Sequence, residues 1–463
     1  MNAGPLAALA GIAPEGWLVG GAVRDRLRGQ LSSDYDVVLA GELAPVARAL
    51  GRAARGHPFQ LSDSFGVWRV VSHARDWQVD LIPLAGETIE QDLAQRDFTI
   101  NAIAEPLAGG PPVDPCRGLE DLNARRIRMV AAEAFERDPV RVMRMARIAC
   151  ELDFSVDPAT EHAARANAAA LAAATPERIF GELKRIVAAD RAPAGLELLD
   201  AVGATEVVLP ELAGLRGVEQ SRFHHLDVHD HTRAVLSEVI ELERGPAETL
   251  GEHADTVRAL LAEPFANELT RGQALRFGAL FHDAAKPQTR GVTEAGRITF
   301  IGHDERGAML ATEALGRLRA SQKLSEHVAA LTRNHLRLGF LVHRMPLSRR
   351  EIYRYLQRCE PVQVDVTLLS IADRLATRGD NATEAIARHL ELARQLLGEA
   401  LAWTADPPRP PLRGDELTRA LGTVPGPEIG RILAELEEAS FAGEVSGRDD
   451  ALALARALHE GSH

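Results

Sequence analysis

The sequence predicts an α+β fold, in which a mixed sheet with a few helices precedes a long all-helical remainder. Short apolar runs typical of strands, such as 67–72 and 78–83, fall in the first part of the chain. Further along, apolar residues recur at the i, i+3, i+4, i+7 spacing of packed helices. The length of 463 residues leaves room for about two to four domains with buried cores. We expect four segments, 1–130, 131–215, 220–380 and 381–463.

Composition excludes several classes of protein. A hydrophobic content of 46% with 26% charged residues is that of a soluble globular chain, not of a disordered or fibrous one. No apolar run approaches the ~20 residues that cross a bilayer, and 1–18 lacks the basic start of a signal peptide, so we expect a cytoplasmic protein without a membrane partner. The three cysteines, Cys116, Cys150 and Cys359, are too few and too widely spaced for a disulfide framework or a zinc finger.

The charge distribution is compatible with a nucleic-acid partner. A net charge of −13 argues against one at first, but local fields decide such binding. Between Arg125 and Arg147 there are seven arginines against three acids. The sequence therefore carries a basic stripe within an acidic chain.

The first strand of the chain meets two glycines. The apolar pair 18–19 precedes Gly20 and Gly21, and 22–25 then reads as the start of a helix. Glycine lets a backbone approach a ligand closely, and a helix N-terminus offers unpaired N–H groups to a phosphate. With the cation of Arg24 beside it, this bend is a candidate phosphate site.

Two aspartates open the next apolar strand. Asp34 and Asp36 are separated by one residue, so strand alternation places both carboxylates on one face. Such a pair repels unless it is protonated or holds a metal, and its oxygens suit Mg²⁺ with its waters and a substrate's phosphates. A lone Gly-Gly bend is more often a plain turn, and a lone Asp-x-Asp pair is more often a solvated loop. Their order in a single stretch favours a metal-and-triphosphate site.

This stretch, 18–39, resembles the nucleotidyltransferase head of bacterial tRNA nucleotidyltransferases and poly(A) polymerases, which belong to the DNA polymerase β superfamily. The resemblance implies a polymerase-β-like head at 1–130, followed by a helical neck at 131–215. The superfamily uses a third carboxylate on a neighbouring strand; Asp80 is a possible match, and a solvated strand residue is the alternative. The resemblance assigns Asp34 and Asp36 to catalysis and Mg²⁺ binding, and Gly21 and Arg24 to nucleotide binding.

Two later runs are similar to further motifs of the family. The run 92–102 is similar to the second motif, in which an arginine before Asp-Phe-Thr-Ile-Asn-Ala contacts the nucleotide. Arg96 matches that arginine, whereas Gln95 stands where a second arginine is frequent. The run 113–122 looks like the third motif, a turn that supports the head.

The sequence also predicts a helix over 138–152 that carries nucleotide recognition. Asp138, Arg141 and Arg144 are three residues apart, beside the apolar stripe. An acid and an arginine one turn apart supply the acceptor and the donors that reading a base edge requires, although a surface ion pair is the plainer alternative. The run looks like the motif by which these enzymes select C and A without a template, with Arg137 in place of the usual Glu. The resemblance gives base reading to Asp138 and Arg141 and nucleotide binding to Arg144.

A second constellation lies in 220–380, in helical surroundings. A single histidine on a helix is more often packed or solvated than a ligand, but five positions with a contiguous His-Asp favour a metal site gathered from several helices. Their order resembles the HD phosphohydrolase domain, which implies a divalent metal such as Mn²⁺, Ni²⁺ or Mg²⁺ and hydrolysis of phosphoesters, with 2′,3′-cyclic phosphates as one candidate substrate. Lys286 is a possible phosphate contact. The implied ligands are His231, His282, Asp283, His303, His335 and Asp373.

The family resemblance predicts an enzyme that extends the 3′ end of tRNA from CTP and ATP. In members that add all three nucleotides, a flexible segment needed for the step from C to A separates the strand holding Asp80 from the second motif. Here only 84–90 lies between them. We therefore expect a CC-adding enzyme, whose separate partner adds the terminal A. The alternatives are a complete CCA-adding enzyme, a poly(A) polymerase and an HD phosphohydrolase with an inert head.

Overall fold

The computed structural model describes residues 4–62, 66–221, 225–378 and 382–460. The chain divides into two compact units, Met1–Val208 and Leu209–His463. The first unit combines a six-stranded sheet with helices, and the second is almost entirely helical. The predicted α+β class is confirmed. Among the described residues, no helix is both long enough and apolar enough to cross a membrane.

The sheet of the first unit is mixed, as predicted. Its strands are β1 (Trp17–Val19), β2 (Asp34–Leu39), β3 (Gly56–Ser62), β4 (Val67–Ser72), β5 (Gln78–Pro83) and β6 (Ala104–Pro106). They lie in the order β3-β4-β5-β2-β1-β6, and β2 and β5 are parallel whereas the other neighbours are antiparallel. A short parallel pair, β7 (Arg126–Ile127) and β8 (Ser155–Val156), follows.

The helices of the first unit cover both faces of this sheet and continue beyond it. They are α1 (Pro5–Ile12), α2 (Gly21–Leu27), α3 (Leu43–Ala54), α4 (Ile89–Leu93), α5 (Gly118–Asn123), α6 (Ala134–Arg137), α7 (Arg141–Leu152), α8 (Pro158–Asn167), α9 (Pro176–Ala188), α10 (Ala192–Ala201) and α11 (Thr205–Val208), with 3₁₀ turns at Thr99–Asn101 and Ala168–Ala173. The alanine-rich turn Ala168–Ala173 is a 3₁₀ continuation of α8, a common ending for an α-helix.

Strand alternation divides the core of this unit into two layers. Val37 and Leu39 face the layer that contains α1 and α3, and Val38 faces the layer that contains α4. Asp36 is two residues from Val38 and so lies on the α4 side of the sheet. This alternation brings the acidic start of β2 to the face on which the second family motif packs.

The starts of two helices in the neck follow from prolines nearby. The helix α9 has Thr175 at its N-cap and Pro176 at its first position, where the fixed φ of proline suits a helix start. The helix predicted to start at Asp138 starts at Arg141 instead, and that prediction was wrong. The reason is local: Asp138 precedes Pro139, and the proline ring disfavours helical backbone at the residue before it.

The second unit is a succession of helices with two small hairpins. The hairpins are β9 (Pro264–Ala266) with β10 (Leu269–Thr270), and β11 (Gly291–Val292) with β12 (Ile298–Thr299). The helices are α12 (Pro210–Ala213), α13 (Val228–Glu243), α14 (Ala247–Leu250), α15 (Ala254–Leu261), α16 (Arg271–Phe281), α17 (Lys286–Thr289), α18 (His303–Arg317), α19 (Gln322–Asn334), α20 (Arg337–Leu341), α21 (Arg349–Cys359), α22 (Gln363–Ala376), α23 (Ala382–Ala405), α24 (Gly414–Leu421), α25 (Pro427–Phe441) and α26 (Arg448–Glu460), with 3₁₀ turns at Gly251–His253 and Val342–Arg344.

The last three helices enclose a small core of their own. Leu417, Ile432 and Leu436 are buried there, and Leu412, the last residue of the proline-rich segment 406–412, joins them. The C-terminal end of that segment is therefore packed against the helices that it precedes.

Candidate active site and metal centre

The glycine bend predicted to receive a phosphate lies directly against the first candidate metal ligands. Gly20 ends β1 with φ +71° and ψ −140°, a backbone conformation open to glycine alone. A Cβ atom at this position would lie 3.1 Å from Oδ2 of Asp36 and 3.4 Å from Nη1 of Arg96. The missing side chain is what allows the backbone, the carboxylate and the guanidinium to meet.

Asp34 and Asp36 occupy the first and third positions of β2. Both line one cavity of about 580 Å³ together with Gly20 and Gly21. Asp34 is exposed at the mouth, where its Oδ1 accepts a hydrogen bond from Nε2 of Gln78 at 2.9 Å, and Asp36 lies deeper. The two acids face the same space beside the glycine bend.

The electrostatics of Asp36 suit a cation. Burial raises the pKa of its carboxyl from the ordinary 3.8 to about 6, against the opposing effect of Arg96, and the charges of Asp34 and Asp80 raise it further. A buried carboxyl surrounded by other carboxylates is stabilised either by a proton or by a bound cation. The donor set is that of a hard divalent ion such as Mg²⁺.

Asp80 lies beside this pair but is already engaged. It is in register with Asp36 across the parallel strands β2 and β5, and its neighbours Val79 and Leu81 are buried on the opposite side of the sheet. Both of its carboxylate oxygens accept hydrogen bonds from Arg69, each at 2.7 Å. The third carboxylate is thus close to the predicted site, and an arginine holds it.

Arg24 and Arg96 line the cavity in fixed orientations. Arg24 donates from Nε to Asp25 and from Nη1 to Oδ1 of Asn101, each at 2.9 Å. Arg96 donates from Nε and Nη2 to Oδ1 of Asp92, at 3.0 and 2.9 Å. Two oriented guanidinium groups opposite two carboxylates can receive a polyanion that carries a metal.

The predicted base-reading pair is not formed in this structure. Oδ2 of Asp138 accepts a hydrogen bond from Arg178 at 2.6 Å, and among the described residues that line the cavity Asp138 is absent. Arg141 lines the cavity but donates to main-chain oxygens, to that of Gln95 at 2.9 Å and to that of Arg96 at 3.1 Å. Because Asp138 precedes α7, the two side chains do not share a helix face.

Arg144 is fixed by two carboxylates that sequence reasoning did not assign. Its Nη1 donates to Asp97 at 3.1 Å and its Nε donates to Glu182 at 3.0 Å. The other oxygen of Glu182 accepts from Nε of Arg147 at 2.5 Å. Burial lowers the pKa of Arg144, but these carboxylates outweigh the effect of burial and raise the pKa overall.

Sequence reasoning missed several residues of the cavity. For Glu182, the only sign of a role in the site was its position as an isolated acid beside the apolar stripe of α9. The cavity-lining residues to which the sequence assigned no role include Asp97, Asn101, Arg147, Glu182 and Arg185.

In the second unit, the structure brings together all six of the predicted HD residues. Five of them are nearly inaccessible, with relative exposures of 1 to 6%, and the side chain of Asp373 is 27% exposed. The ligand atoms of the five inaccessible residues form two groups, each within 4.8 Å, that share Asp283. The contributing elements are α13 (His231), the end of α16 (His282, Asp283), α18 (His303), the end of α19 (His335) and α22 (Asp373).

The two oxygens of Asp283 separate the histidines into pairs. Oδ2 lies 3.1 Å from Nε2 of His282 and 3.8 Å from Nε2 of His231. Oδ1 lies 3.3 Å from Nε2 of His303 and 3.8 Å from Nε2 of His335. One carboxylate therefore stands between two sets of imidazole nitrogens.

Backbone carbonyls orient three of these rings. Nδ1 of His282 lies 2.8 Å from the main-chain oxygen of Ala279, and Nδ1 of His303 and of His335 each lie 2.6 Å from a main-chain oxygen. A ring that donates from Nδ1 presents a bare Nε2 to its other side when neutral. Nε2 of His282 is buried and, although it lies 3.1 Å from Oδ2 of Asp283, it makes no well-aligned hydrogen bond among the described residues, which fits a metal ligand.

Two side chains near this centre, those of Lys286 and His229, contact neighbouring polar side chains. Nζ of Lys286, considered above as a phosphate contact, lies 2.6 Å from Oδ2 of Asp283 and 2.5 Å from Oε1 of Gln220. Nδ1 of His229 lies 3.0 Å from Oδ1 of Asp230, on the exposed side of α13. Lys286 partly balances the charge of the carboxylates, and His229 lies apart from the six.

Comparison with known proteins agrees with this architecture. Residues 16–128 match the family model described as "Poly A polymerase head domain", 153–215 match "Probable RNA and SrmB-binding site of polymerase A", and 250–378 match "HD domain". Fold and site therefore define a nucleotidyltransferase with an HD domain.

Individual relatives narrow the family. The A-adding tRNA nucleotidyltransferase of Deinococcus radiodurans is 36% identical over 447 residues, 95% of either chain. The CC-adding tRNA nucleotidyltransferase of Thermus thermophilus is 35% identical over 446 residues, 94% of this chain and 92% of that one. The chain belongs to the tRNA nucleotidyltransferase family, as the resemblance predicted.

Solved structures agree on the fold. The CCA-adding enzyme in its apo form I has a TM-score of 0.64 at 18% identity, over 98% of this chain and 93% of that one. The Thermotoga maritima CCA-adding enzyme complexed with tRNA has a TM-score of 0.61 at 18% identity, over 98% and 94%.

Proposed function

We propose that the first unit adds two C residues to the 3′ end of tRNA from CTP and leaves the terminal A to a separate enzyme. The observation that carries this proposal is the short connection between β5 and α4, residues 84–88. In three-nucleotide members of the family, a flexible segment needed for A addition occupies this place. The connection here has no room for one.

Hydrogen bonds hold this connection in place. The amide of Leu84 donates to the main-chain oxygen of Leu39 at 2.9 Å, and the amide of Ala85 donates to Asp92 at 3.1 Å. Thr88 then caps α4 through the amide of Gln91. Because the anchor of Ala85 is the carboxylate that also orients Arg96, a movement of this connection would disturb the nucleotide site.

The chemistry follows from the cavity residues. Asp34 and Asp36 would hold Mg²⁺, which when bound would offset the charge of the triphosphate and favour attack by the primer's terminal hydroxyl, with pyrophosphate as the leaving group. Gly21, Arg24 and Arg96 receive the triphosphate, because they line the cavity next to the two acids. Recognition of the base falls to Asp138 and Arg141, and Arg144, which lines the cavity, contributes to holding the nucleotide. For Asp138 and Arg141 this requires that they exchange their present partners for the nucleotide.

The relatives leave the number of nucleotides open, since an A-adding and a CC-adding enzyme match almost equally well. Purified protein is incubated with tRNA transcripts that end before the CCA, after one C and after two C residues, each with CTP, with ATP and with both. We expect two C residues on the first transcript, one on the second and none on the third. Addition of A to the third transcript would refute the CC-only proposal, and long A tails would indicate a poly(A) polymerase. The Asp34→Ala variant should lose all nucleotide addition. That result would assign nucleotide addition to the first unit and not to the second.

For the second unit, we propose a phosphohydrolase centre with two divalent ions, such as Mn²⁺, Ni²⁺ or Mg²⁺, one on each side of Asp283. The support is the division of four histidines between its two oxygens, with Asp373 added on the His231 side at 3.0 Å. Bound ions would lower the pKa of a water and direct it at phosphorus. Two divalent ions outweigh the two carboxylates, so an anionic phosphoester suits the site.

The metal content tests this arrangement. Protein reloaded after chelation should retain two equivalents of Mn²⁺ or Ni²⁺ in the second unit, and His335→Ala should lose about one. One equivalent in the wild type would refute the two-ion arrangement.

Hydrolysis is tested separately. With 2′,3′-cyclic AMP as the probe, water adds to phosphorus and one ring P–O bond breaks, giving a phosphomonoester. Absence of phosphomonoester with fully loaded protein would refute the cyclic phosphate as substrate. If Asp34→Ala left nucleotide addition untouched, the head would be inert and the HD centre the main activity.

A further inference from the structure

Three charged residues form a row across the sheet of the first unit. Asp36 of β2 is in register with Asp80 of β5, and Asp80 is in register with Arg69 of β4. Residues in register on neighbouring strands point to the same face, and the strands are about 4.8 Å apart. Arg69, Asp80 and Asp36 therefore lie side by side on the face that carries the candidate Mg²⁺ site.

Arg69 binds Asp80 through a complete fork. Its Nε and Nη2 reach one carboxylate oxygen each, at 2.7 Å, which is the bidentate geometry of a strong charge-assisted pair. The side chains are only 13% exposed for Asp80 and 27% exposed for Arg69. The hydrogen bond to Asp80 raises the pKa of Arg69, so the guanidinium charge is secure.

Without this fork, Asp80 would be within reach of the metal. A carboxylate in register with Asp36 on the next strand can share an ion with it. Among the described residues that line the cavity, Asp34 and Asp36 are present, whereas Asp80 and Arg69 are not. The fork directs the third carboxylate away from the cavity.

We propose that Arg69 is a positioning residue that withholds Asp80 from the metal, so that Asp34 and Asp36 alone bind the ion. This inference rests on the proposed Mg²⁺ site of the first unit. By withholding one carboxylate, Arg69 limits the affinity of the site for the divalent ion to a moderate value. A moderate affinity suits an enzyme whose metal arrives with the triphosphate and leaves with the pyrophosphate.

The experiment compares Arg69→Met, Asp80→Asn and the double variant in the full-length protein. Mn²⁺ binding without nucleotide is followed by electron paramagnetic resonance, and the Mg²⁺ concentration for half-maximal CTP incorporation is measured in parallel. The Mn²⁺ retained by an Asp34→Ala/Asp36→Ala variant is subtracted as the share of the second unit. If that variant loses no Mn²⁺ site, the proposed metal site of the first unit is refuted, and the role of Arg69 is refuted with it.

We expect Arg69→Met to bind Mn²⁺ about tenfold more tightly, since one cation is removed and one carboxylate is released. The double variant should lose most of that gain, and Asp80→Asn, which leaves Arg69 unpaired, should bind about threefold more weakly than the wild type. Equal affinities of Arg69→Met and the double variant would overturn the proposal, because Asp80 would then not be a ligand. Arg26→Met, which removes an arginine that pairs with Glu105 at 3.2 Å, controls for the loss of one positive charge. Thermal melting of each variant confirms that it is folded.

Discussion

The buried charge of Asp36 has a measurable cost in stability, and Asp36→Asn should remove it. The pKa of this carboxyl rises from 3.8 to about 6 in the folded protein, mainly through burial. A shift of about 2 units corresponds to roughly 3 kcal/mol, since each unit is about 1.4 kcal/mol. Allowing for the less perfect fit of an amide, we expect the variant to be more stable by about 1–3 kcal/mol at pH 7.5 and inactive in nucleotide addition.

The sign of the pH dependence follows from the raised pKa. At about pH 3 the carboxyl of Asp36 is protonated in both the folded and the unfolded chain. The wild type then carries no buried charge there, and its free energy of unfolding should be close to that of Asp36→Asn. As the pH rises from about 4 to 6, the unfolded chain loses the proton first and the folded form becomes relatively less stable. The advantage of Asp36→Asn should therefore grow through this window and be complete above it.

Thermal unfolding in the presence of a chelator tests this at pH 7.5 and at pH 4. For a unit of 208 residues, 1–3 kcal/mol raises the melting temperature by roughly 2–10 °C. Asp34→Asn is the matched control, because it removes a neighbouring charge from an exposed position and should stabilise less. An Asp36→Asn protein that melts no higher than the wild type at pH 7.5, or whose advantage persists at pH 4, would refute the reasoning.

Three further substitutions address the cavity. Gly20→Ala forces a side chain into positive φ, 3.1 Å from Asp36, and should destabilise the unit by about 1–3 kcal/mol and lower kcat; normal melting and turnover would contradict this. Glu182→Ala leaves Arg144 and Arg147 with one carboxylate each, so it should lower the free energy of unfolding by roughly 2–4 kcal/mol and raise KM for CTP. Glu182→Gln should give intermediate values, and an unchanged melting temperature of Glu182→Ala would contradict this prediction. Arg178→Met frees Asp138, and if Asp138 reads the base, KM for CTP should fall; identical kinetics would show that the pair does not restrain it.

Much of the fold and part of the site were predictable because their causes are local. Strand alternation places Asp34 and Asp36 on one face, and the apolar run that follows them is enough to predict β2. The stripes of α7 and α9 likewise predict which of their faces are buried. The prediction that α7 starts at Asp138 failed because helical spacing was extended across Pro139, which ends the pattern.

The sequence by itself determined the order of the elements, the acidic start of β2 beside a glycine bend, and the set of six HD residues. Only the tertiary structure decided which charges meet: Arg69 with Asp80, Asp138 with Arg178, and Asp283 between its histidines. The physical reason is that an arginine or a carboxylate can pair with any of several partners at similar free energy. The choice falls to whichever partner the packing of distant strands and helices brings within hydrogen-bond distance, and spacing along the chain does not encode that distance.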